Sequence, residues 1–193
     1  LDEDIHAWRF RKLDKEYPYL VVDARYEKIR INHQVVSQGV LLAVGIGSDG
    51  YREILGTWVA DSENETSWSE VFKELKERGL KGVRYVVSDD HAGLVKAIGR
   101  HFQGVLWQRC QVHFVRNLCS LVSKKDRSKV VEMLREITTA QTYVTARKRM
   151  DEAIEVLEKL HPKVAQILEE NGEDILTVYQ LPVWQRRGMP TPP

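Results

Sequence analysis

Leu20-Val21-Val22-Asp23-Ala24 places an aspartate inside a run that otherwise reads as a buried strand, and a second run, Val86-Val87-Ser88-Asp89, ends on another. An ionised carboxylate in strand-like apolar sequence is costly to desolvate unless something compensates it. A bound metal ion compensates it and also does chemistry, so the two runs point to a two-carboxylate metal site. A local reading stands beside this one. Asp23 could bond a backbone amide at a strand end, and Asp89 or Asp90 could cap a helix starting at His91. Both readings can hold at once, with Asp89 on metal and Asp90 capping.

Working outward, Tyr19 to Tyr26 reads as the first strand, Val40 to Ile46 as a second and Glu53 to Ala60 as a third, with Gly47-Ser48-Asp49-Gly50 as a hairpin turn. Ser67-x-x-Glu70 has the form of a capping box. Trp68, Val71, Phe72 and Leu75 make one apolar helix face, and Gly79 supplies the stop. Val83 to Ser88 is a fourth strand, His91 to Phe102 a helix, Val105 to Gln108 a fifth strand and Val112 to Leu121 a helix. An antiparallel meander that continues into βαβ crossovers makes one mixed sheet. The α/β ribonuclease H-like fold is the leading example. In it the first and fourth strands are neighbours, which would bring Asp23 and Asp89 to one edge of the sheet.

From Asp126 the strand signal ends. Val130, Leu134 and Ile137 form one helical stripe. Ala146, Met150, Ala153, Leu157 and Leu160 form another, broken at His161-Pro162 before Val164, Ile167 and Leu168. The expected organisation is a catalytic core over 1–125, a helical insertion over 126–180 and a divergent tail over 181–193.

The chain has 193 residues, 30% charged and 42% hydrophobic, with net charge +1. That composition is globular, and no apolar stretch reaches the roughly 18 residues of a membrane span. Two cysteines, Cys110 and Cys119, are too few for a disulfide framework, so a reducing, cytoplasmic setting is expected. Starting at Leu1 rather than Met suggests a fragment. Charge is uneven: between Arg109 and Arg135 seven basic residues face two acidic ones. Arg109, Arg116, Lys124, Lys125, Arg127 and Lys129 are therefore candidate phosphate contacts, or else a solvated helix face. Cys110-Gln111-Val112-His113 could begin a zinc site, but the sequence offers no second pair at ligand spacing. A buried thiol and a hydrogen-bonded imidazole are the alternative.

Several longer strings carry a resemblance. Tyr17-Pro-Tyr-Leu-Val-Val-Asp23-Ala-Arg-Tyr26, Asp49-Gly-Tyr-Arg-Glu53, Ser62-Glu-Asn-Glu-Thr-Ser-Trp68, Ser88-Asp-Asp-His-Ala-Gly-Leu94 and Trp107-Gln-Arg-Cys-Gln-Val-His-Phe-Val-Arg-Asn117 resemble the mutator-type transposases of bacterial insertion sequences. The likeness runs from about residue 8 to about residue 183. It implies a ribonuclease H-like domain that cleaves DNA and transfers strands, acting as a multimer on insertion-sequence ends and target DNA. It also implies Mg²⁺ or Mn²⁺ held by an Asp-Asp-Glu set, with a helical insertion ahead of the glutamate. Asp23 matches the first aspartate and Asp89 the second. Cys110 and His113 match the C-x-x-H signature near the active site, and His91 would touch phosphate or orient a ligand.

The end of the chain departs from that pattern. Where the family runs through a basic stretch into R-T-T-N-x-x-E-R, this sequence reads Trp184-Gln-Arg-Arg-Gly-Met-Pro-Thr-Pro-Pro193. Glu169, Glu170, Glu173 and Asp174 lie upstream, in the expected insertion, so none of them replaces that glutamate. Two expectations follow: a transposase catalytic domain working through Asp23 and Asp89, or a non-catalytic remnant, left by a frameshift for instance, that binds DNA or a transposase partner.

Overall fold

The computed structural model describes residues 2–31 and 33–186. The chain divides into two compact units, 1–107 and 108–193.

The first unit opens with helix α1 (Asp2–Arg9), followed by β1 (Tyr19–Ile31), β2 (Gln34–Ile46) and β3 (Arg52–Ala60). Then come α2 (Glu65–Glu77), β4 (Tyr85–Ser88), α3 (Ala92–His101) and β5 (Leu106–Arg109), the strand on which the division between units falls. The five strands form a mixed sheet in the order β3-β2-β1-β4-β5, with β1 antiparallel to β2 and parallel to β4. Strand alternation, with a bulge at Leu55 in the β2–β3 ladder, sends Leu20, Val22, Leu41, Ala43, Leu55, Trp58 and Val86 into one core with Trp68, Val71, Phe72 and Leu75 of α2 and Leu94, Ala97 and Ile98 of α3.

The expected α/β plan, with three antiparallel strands followed by a parallel crossover, is observed. Its boundaries differ from the expected ones. β1 and β2 run as far as Ile31 and Gln34, because hairpin pairing continues through a charged segment in which Ile29 and Ile31 alternate with Lys28 and Arg30. The capping box of α2 lies three residues earlier than Ser67-x-x-Glu70. Asn64 Oδ1 accepts from Ser67 N (2.9 Å) and Ser67 Oγ accepts from Asn64 N (3.0 Å), so Asn64 is the cap. The helix ends as Gly79 predicts. Gly79 takes φ +106°, its N–H donates to Lys76 O, and Leu80 N–H donates to Leu75 O, both at 2.9 Å.

The Asp49-Gly-Tyr-Arg-Glu53 string has a packing role. Glu53 Oε2 accepts from the buried Tyr17 hydroxyl (2.6 Å), and Oε1 accepts from Arg11 Nη2 (2.7 Å). Lys15 stands 3.5 Å from Glu53. The Tyr17 hydroxyl, aided by Arg11 and Lys15, holds the Glu53 carboxyl below its ordinary 4.5 against the opposing effect of burial. A carboxylate with a depressed folded pKa contributes stability above its unfolded pKa and loses it as pH falls through the folded one. Glu53→Gln is therefore expected to lower the urea midpoint near neutral pH. It should leave the midpoint almost unchanged well below the carboxylate range, which a pair of urea titrations at the two pH values would check.

The second unit contains α4 (Gln111–Ser120), α5 (Arg127–Thr138), α6 (Tyr143–Leu160), α7 (Pro162–Asn171), two 3-10 turns (Gly172–Ile175 and Thr177–Gln180) and α8 (Val183–Arg186). The division falls between Trp107 and Gln108 rather than near Asp126, because α4 buries Phe114, Leu118 and Cys119 in the same core as Val130, Leu134, Met150, Leu157 and Leu168. Gln108 and Gln111 tie the 3-10 turns to the start of this unit: Gln108 Oε1 accepts from Val178 N (2.8 Å), and Gln111 Nε2 donates to Ile175 O (2.9 Å). Of the expected divergent tail, residues 187–193 lie outside the described residues. No helix among the described residues is long and apolar enough to cross a membrane.

Candidate active site on adjacent parallel strands

The register of β1 against β4 runs Tyr19↔Tyr85, Leu20↔Val86, Val21↔Val87. Asp23 lies two residues beyond Val21, and Asp89 two beyond Val87. Asp23 is within β1 and Asp89 just past the end of β4, so the register carried two residues beyond its last pair brings the two aspartates to one level. Alternation puts Asp23 on the face opposite Val22 and gives Asp89 the parity of Val87, so both belong to the face turned away from the α2–α3 core. Each is half-buried. The Asp23 carboxylate accepts the Ala24 N–H through Oδ1 (2.9 Å), and Asp89 accepts the Asp90 N–H in the same way (2.8 Å). These bonds orient the side chains.

The expected capping role of Asp89 or Asp90 is not what α3 shows. Its N-cap is His91, in extended conformation, with no side-chain capping bond. Asp90 is the residue before that N-cap.

Asp89 is held from behind. The hydroxyl of the buried Ser88 accepts from Trp107 Nε1 (2.8 Å) and donates to Asp89 O (2.8 Å). His91 Nδ1 lies 3.8 Å from Glu63 Oε1, and the Glu63 side chain is only 12% exposed. Glu63 also accepts from Trp68 Nε1 (3.0 Å), while its own N–H donates to the Tyr26 hydroxyl, three residues along β1 from Asp23 (2.9 Å). Glu63, Tyr26, Ser88 and Trp107 escape a search for catalytic residue types. The sequence signal for them is membership of the long strings: Tyr26 and Ser88 in those that hold the two aspartates, Glu63 and Trp107 in those beginning at Ser62 and Trp107.

Gly93 explains another position of the Ser88–Leu94 string. A Cβ there would lie 2.6 Å from Glu65 N and 2.8 Å from Asn64 C, because the starts of α2 and α3 nearly touch. Both obstacles are backbone and cannot swing aside. Gly93→Ala is expected to destabilise the protein by about 1–3 kcal/mol, the usual cost of overpacking. Chemical denaturation would show it, with Gly99→Ala, where a Cβ meets nothing within 4 Å, as the neutral control.

The other candidates lie in the helical unit. Cys110 is the buried N-cap residue of α4, and His113 is half-buried in its first turn. Among the described residues, no group of three or more His, Cys, Asp or Glu is placed to hold a metal ion. The basic candidates divide. Arg109 is 7% exposed, its guanidinium stacked 4.8 Å over the Phe114 ring and 3.4 Å from Asn171 Oδ1, so it is a packing residue and not a surface phosphate contact. Sequence proximity to the other bases concealed its burial. Arg116, Lys124, Lys125, Arg127 and Lys129 are exposed. Lys129 shares a groove of about 500 Å³ with Asp126, Glu132 and Glu136, whose carboxylates oppose a phosphate there. Of the upstream acids, Glu173 is engaged by Arg147 (2.6 Å) and Tyr143 (3.1 Å), and Glu170 by Gln166 (2.8 Å).

Residues 1–191 match the family model described as Transposase, Mutator family. The chain is 41% identical over 182 residues to the transposase for insertion sequence element ISRM5 of Rhizobium meliloti (strain 1021), covering 94% of this chain and 46% of that one. It is 41% identical over 187 residues to the IS406 transposase of Burkholderia multivorans (96% and 48%), and 44% identical over 138 residues to the transposase of IS256 in transposon Tn4001 of Staphylococcus aureus (71% and 35%). It thus spans about half the length or less of these curated relatives. A solved simian T-cell lymphotropic virus intasome in complex with PP2A regulatory subunit B56 gamma aligns at a TM-score of 0.30 and 10% identity, covering 97% of this chain and 64% of that one. That likeness is too loose to bear on the fold.

Proposed function

We propose, since this chain belongs to the Mutator family of transposases, that it acts in moving an insertion sequence and that Asp23 and Asp89 are two carboxylates of its metal site. The observation that supports this is the parallel pairing of β1 with β4, which ends two residues before Asp23 on one strand and two before Asp89 on the other. Oxygen donors on adjacent strands suit Mg²⁺ or Mn²⁺. Such an ion, when bound, supplies charge stabilisation at phosphorus and a more acidic water.

The chain's own part in the reaction is placement. Asp23 and Asp89 orient oxygen donors in the middle of the sheet, at the level where β4 ends. Ser88 and Trp107 pin the Asp89 backbone, and the Glu63–His91 contact anchors the loop that follows. Cleavage consumes one water: its oxygen bonds to phosphorus, and the 3′-oxygen leaves with a proton as a hydroxyl. In strand transfer that hydroxyl attacks a target phosphodiester and expels the target's own 3′-oxygen.

The sheet order supports a ribonuclease H-like assignment of the first unit, with the helices from α5 onward as its insertion. Arg116, Lys124, Lys125 and Arg127 are proposed to face DNA, Cys110 and His113 to support the site, and the active form to be a homo-oligomer on paired ends. The test is incubation with duplex carrying the insertion-sequence end, with Mg²⁺, with Mn²⁺ or with chelator. Nicked or joined product only in the presence of metal is expected. Cleavage indifferent to chelation would overturn the metal reading, and DNA binding without any cleavage would leave the non-catalytic one.

A further inference from the structure

The β1–β2 hairpin outruns the sheet that carries it. β3 last pairs with β2 at Gly39↔Ala60, and β4 last pairs with β1 at Val21↔Val87. Beyond that level five further β1–β2 pairs follow, Glu27↔Gln38 through Ile31↔Gln34. Among the described residues no other strand pairs with this part, so it is a two-stranded ribbon about 16 Å long at about 3.3 Å per residue. Its base is secured by Gln38 Nε2 donating to Asp61 Oδ1 (3.2 Å) and by the Tyr26–Glu63 bond.

Charge on the ribbon is sorted by face. Its one acid, Glu27, is paired with Arg25 at 2.5 Å on the Asp23 side. Alternation puts Lys28 and Arg30 on the other side, across from Ser37 and Val35. Both are exposed, as is Val35 at 60%, and neither makes an ion pair among the described residues. That face therefore presents two cations and no carboxylate, on a chain whose net charge is only +1. A bare ribbon of this kind also exposes apolar Val35 and leaves edge backbone groups for solvent, a liability unless a partner covers it.

We propose that this ribbon is a contact for duplex DNA, laid in the major groove with Lys28 and Arg30 against phosphates. A two-stranded ribbon is one of the two elements that fit a groove about 12 Å wide. The proposal rests on the DNA-acting reading above and adds to it a location. β1 carries Asp23 near the ribbon's base but on its opposite face, so the proposal locates a duplex contact and assigns it no path to the carboxylates.

The test is fluorescence anisotropy of the full chain with a labelled duplex of arbitrary sequence across a salt series. Lys28→Ala/Arg30→Ala is expected to weaken binding about tenfold or more and to flatten the slope of log K against log salt by roughly 2, one step per phosphate contact. Lys28→Arg/Arg30→Lys should restore both, which a merely misfolded variant would not allow. Arg116→Ala/Lys124→Ala/Lys125→Ala serves as the comparison. If that triple variant loses binding while the ribbon variant keeps wild-type affinity and slope, the ribbon inference fails and the DNA reading stands. No salt-dependent binding by the wild-type chain overturns both. If the ribbon variant changes only self-association, measured by sedimentation, the ribbon's occupant is a second copy and the inference fails.

Discussion

Replacing Asp23 by asparagine is expected to reduce metal-dependent cleavage of insertion-sequence-end DNA by about a thousandfold or more, equivalent to losing roughly 4 kcal/mol of transition-state stabilisation. Asparagine keeps the volume and can still accept the Ala24 N–H, so the strand is undisturbed while the negative charge is lost. The level register makes a further demand: Asp89→Asn should be as damaging as Asp23→Asn, and the double variant little worse than either, since one site is lost in all three. Asp90→Asn supplies the contrast, because Asp90 is exposed and lies off the shared level. A readout independent of turnover is Mn²⁺-induced broadening of backbone resonances. In the wild type it should centre on Ala24 and Asp90, and in either single variant it should need about tenfold more ion. Equal activity of Asp23→Asn and wild type, or broadening elsewhere, would remove these aspartates from the site.

Legibility of this site in the sequence followed the range of the interactions involved. Apolar alternation located Leu20, Val22, Val86 and the helix face of Trp68, Val71, Phe72 and Leu75, because burial acts residue by residue and leaves a periodic trace. The meander-then-crossover succession of strands pointed to a topology in which β1 and β4 are neighbours, as the sheet order shows. What the sequence concealed depended on contacts between distant segments. Glu63 looks like an ordinary loop acid, and only the folded chain sets it against Trp68, Tyr26 and His91. Arg109 reads as one more base in a basic stretch until Phe114 covers it. Residues 27–38 carry only a short alternating trace, Lys28-Ile29-Arg30-Ile31, and hairpin pairing rather than burial keeps them extended. Asn64 lost the cap to Ser67 on paper since both residues suit that position, and one helical turn separates the two choices.

Trp68→Ala is expected to destabilise the first unit by about 3–5 kcal/mol, the range for removing a large aromatic side chain from a close-packed core. Trp68 is fully buried and stacks on Phe72 with ring centroids 5.7 Å apart, so a cavity would open between α2 and the sheet. A second loss is polar. Glu63, already 12% exposed, would keep its place beside His91 without the indole N–H that bonds its carboxylate. Trp68→Phe separates the two, since it retains most of the packing and forfeits the hydrogen bond, for an expected cost of about 1.5–3 kcal/mol. Trp68→Ala in combination with Glu63→Gln should then cost less than the sum of the single changes, because the neutral amide no longer leaves a charge short of its donor. Denaturant unfolding followed by circular dichroism measures all four proteins. Strict additivity would show that the Trp68–Glu63 bond does not help hold the loop between β3 and α2. The same bond links a core tryptophan to the proposed site: Trp68 bonds Glu63, Glu63 lies 3.8 Å from His91, and His91 is the N-cap of the helix that follows Asp89. A Trp68→Phe protein, still folded, should therefore show weaker Mn²⁺ broadening at Asp90 while the Ala24 signal is preserved.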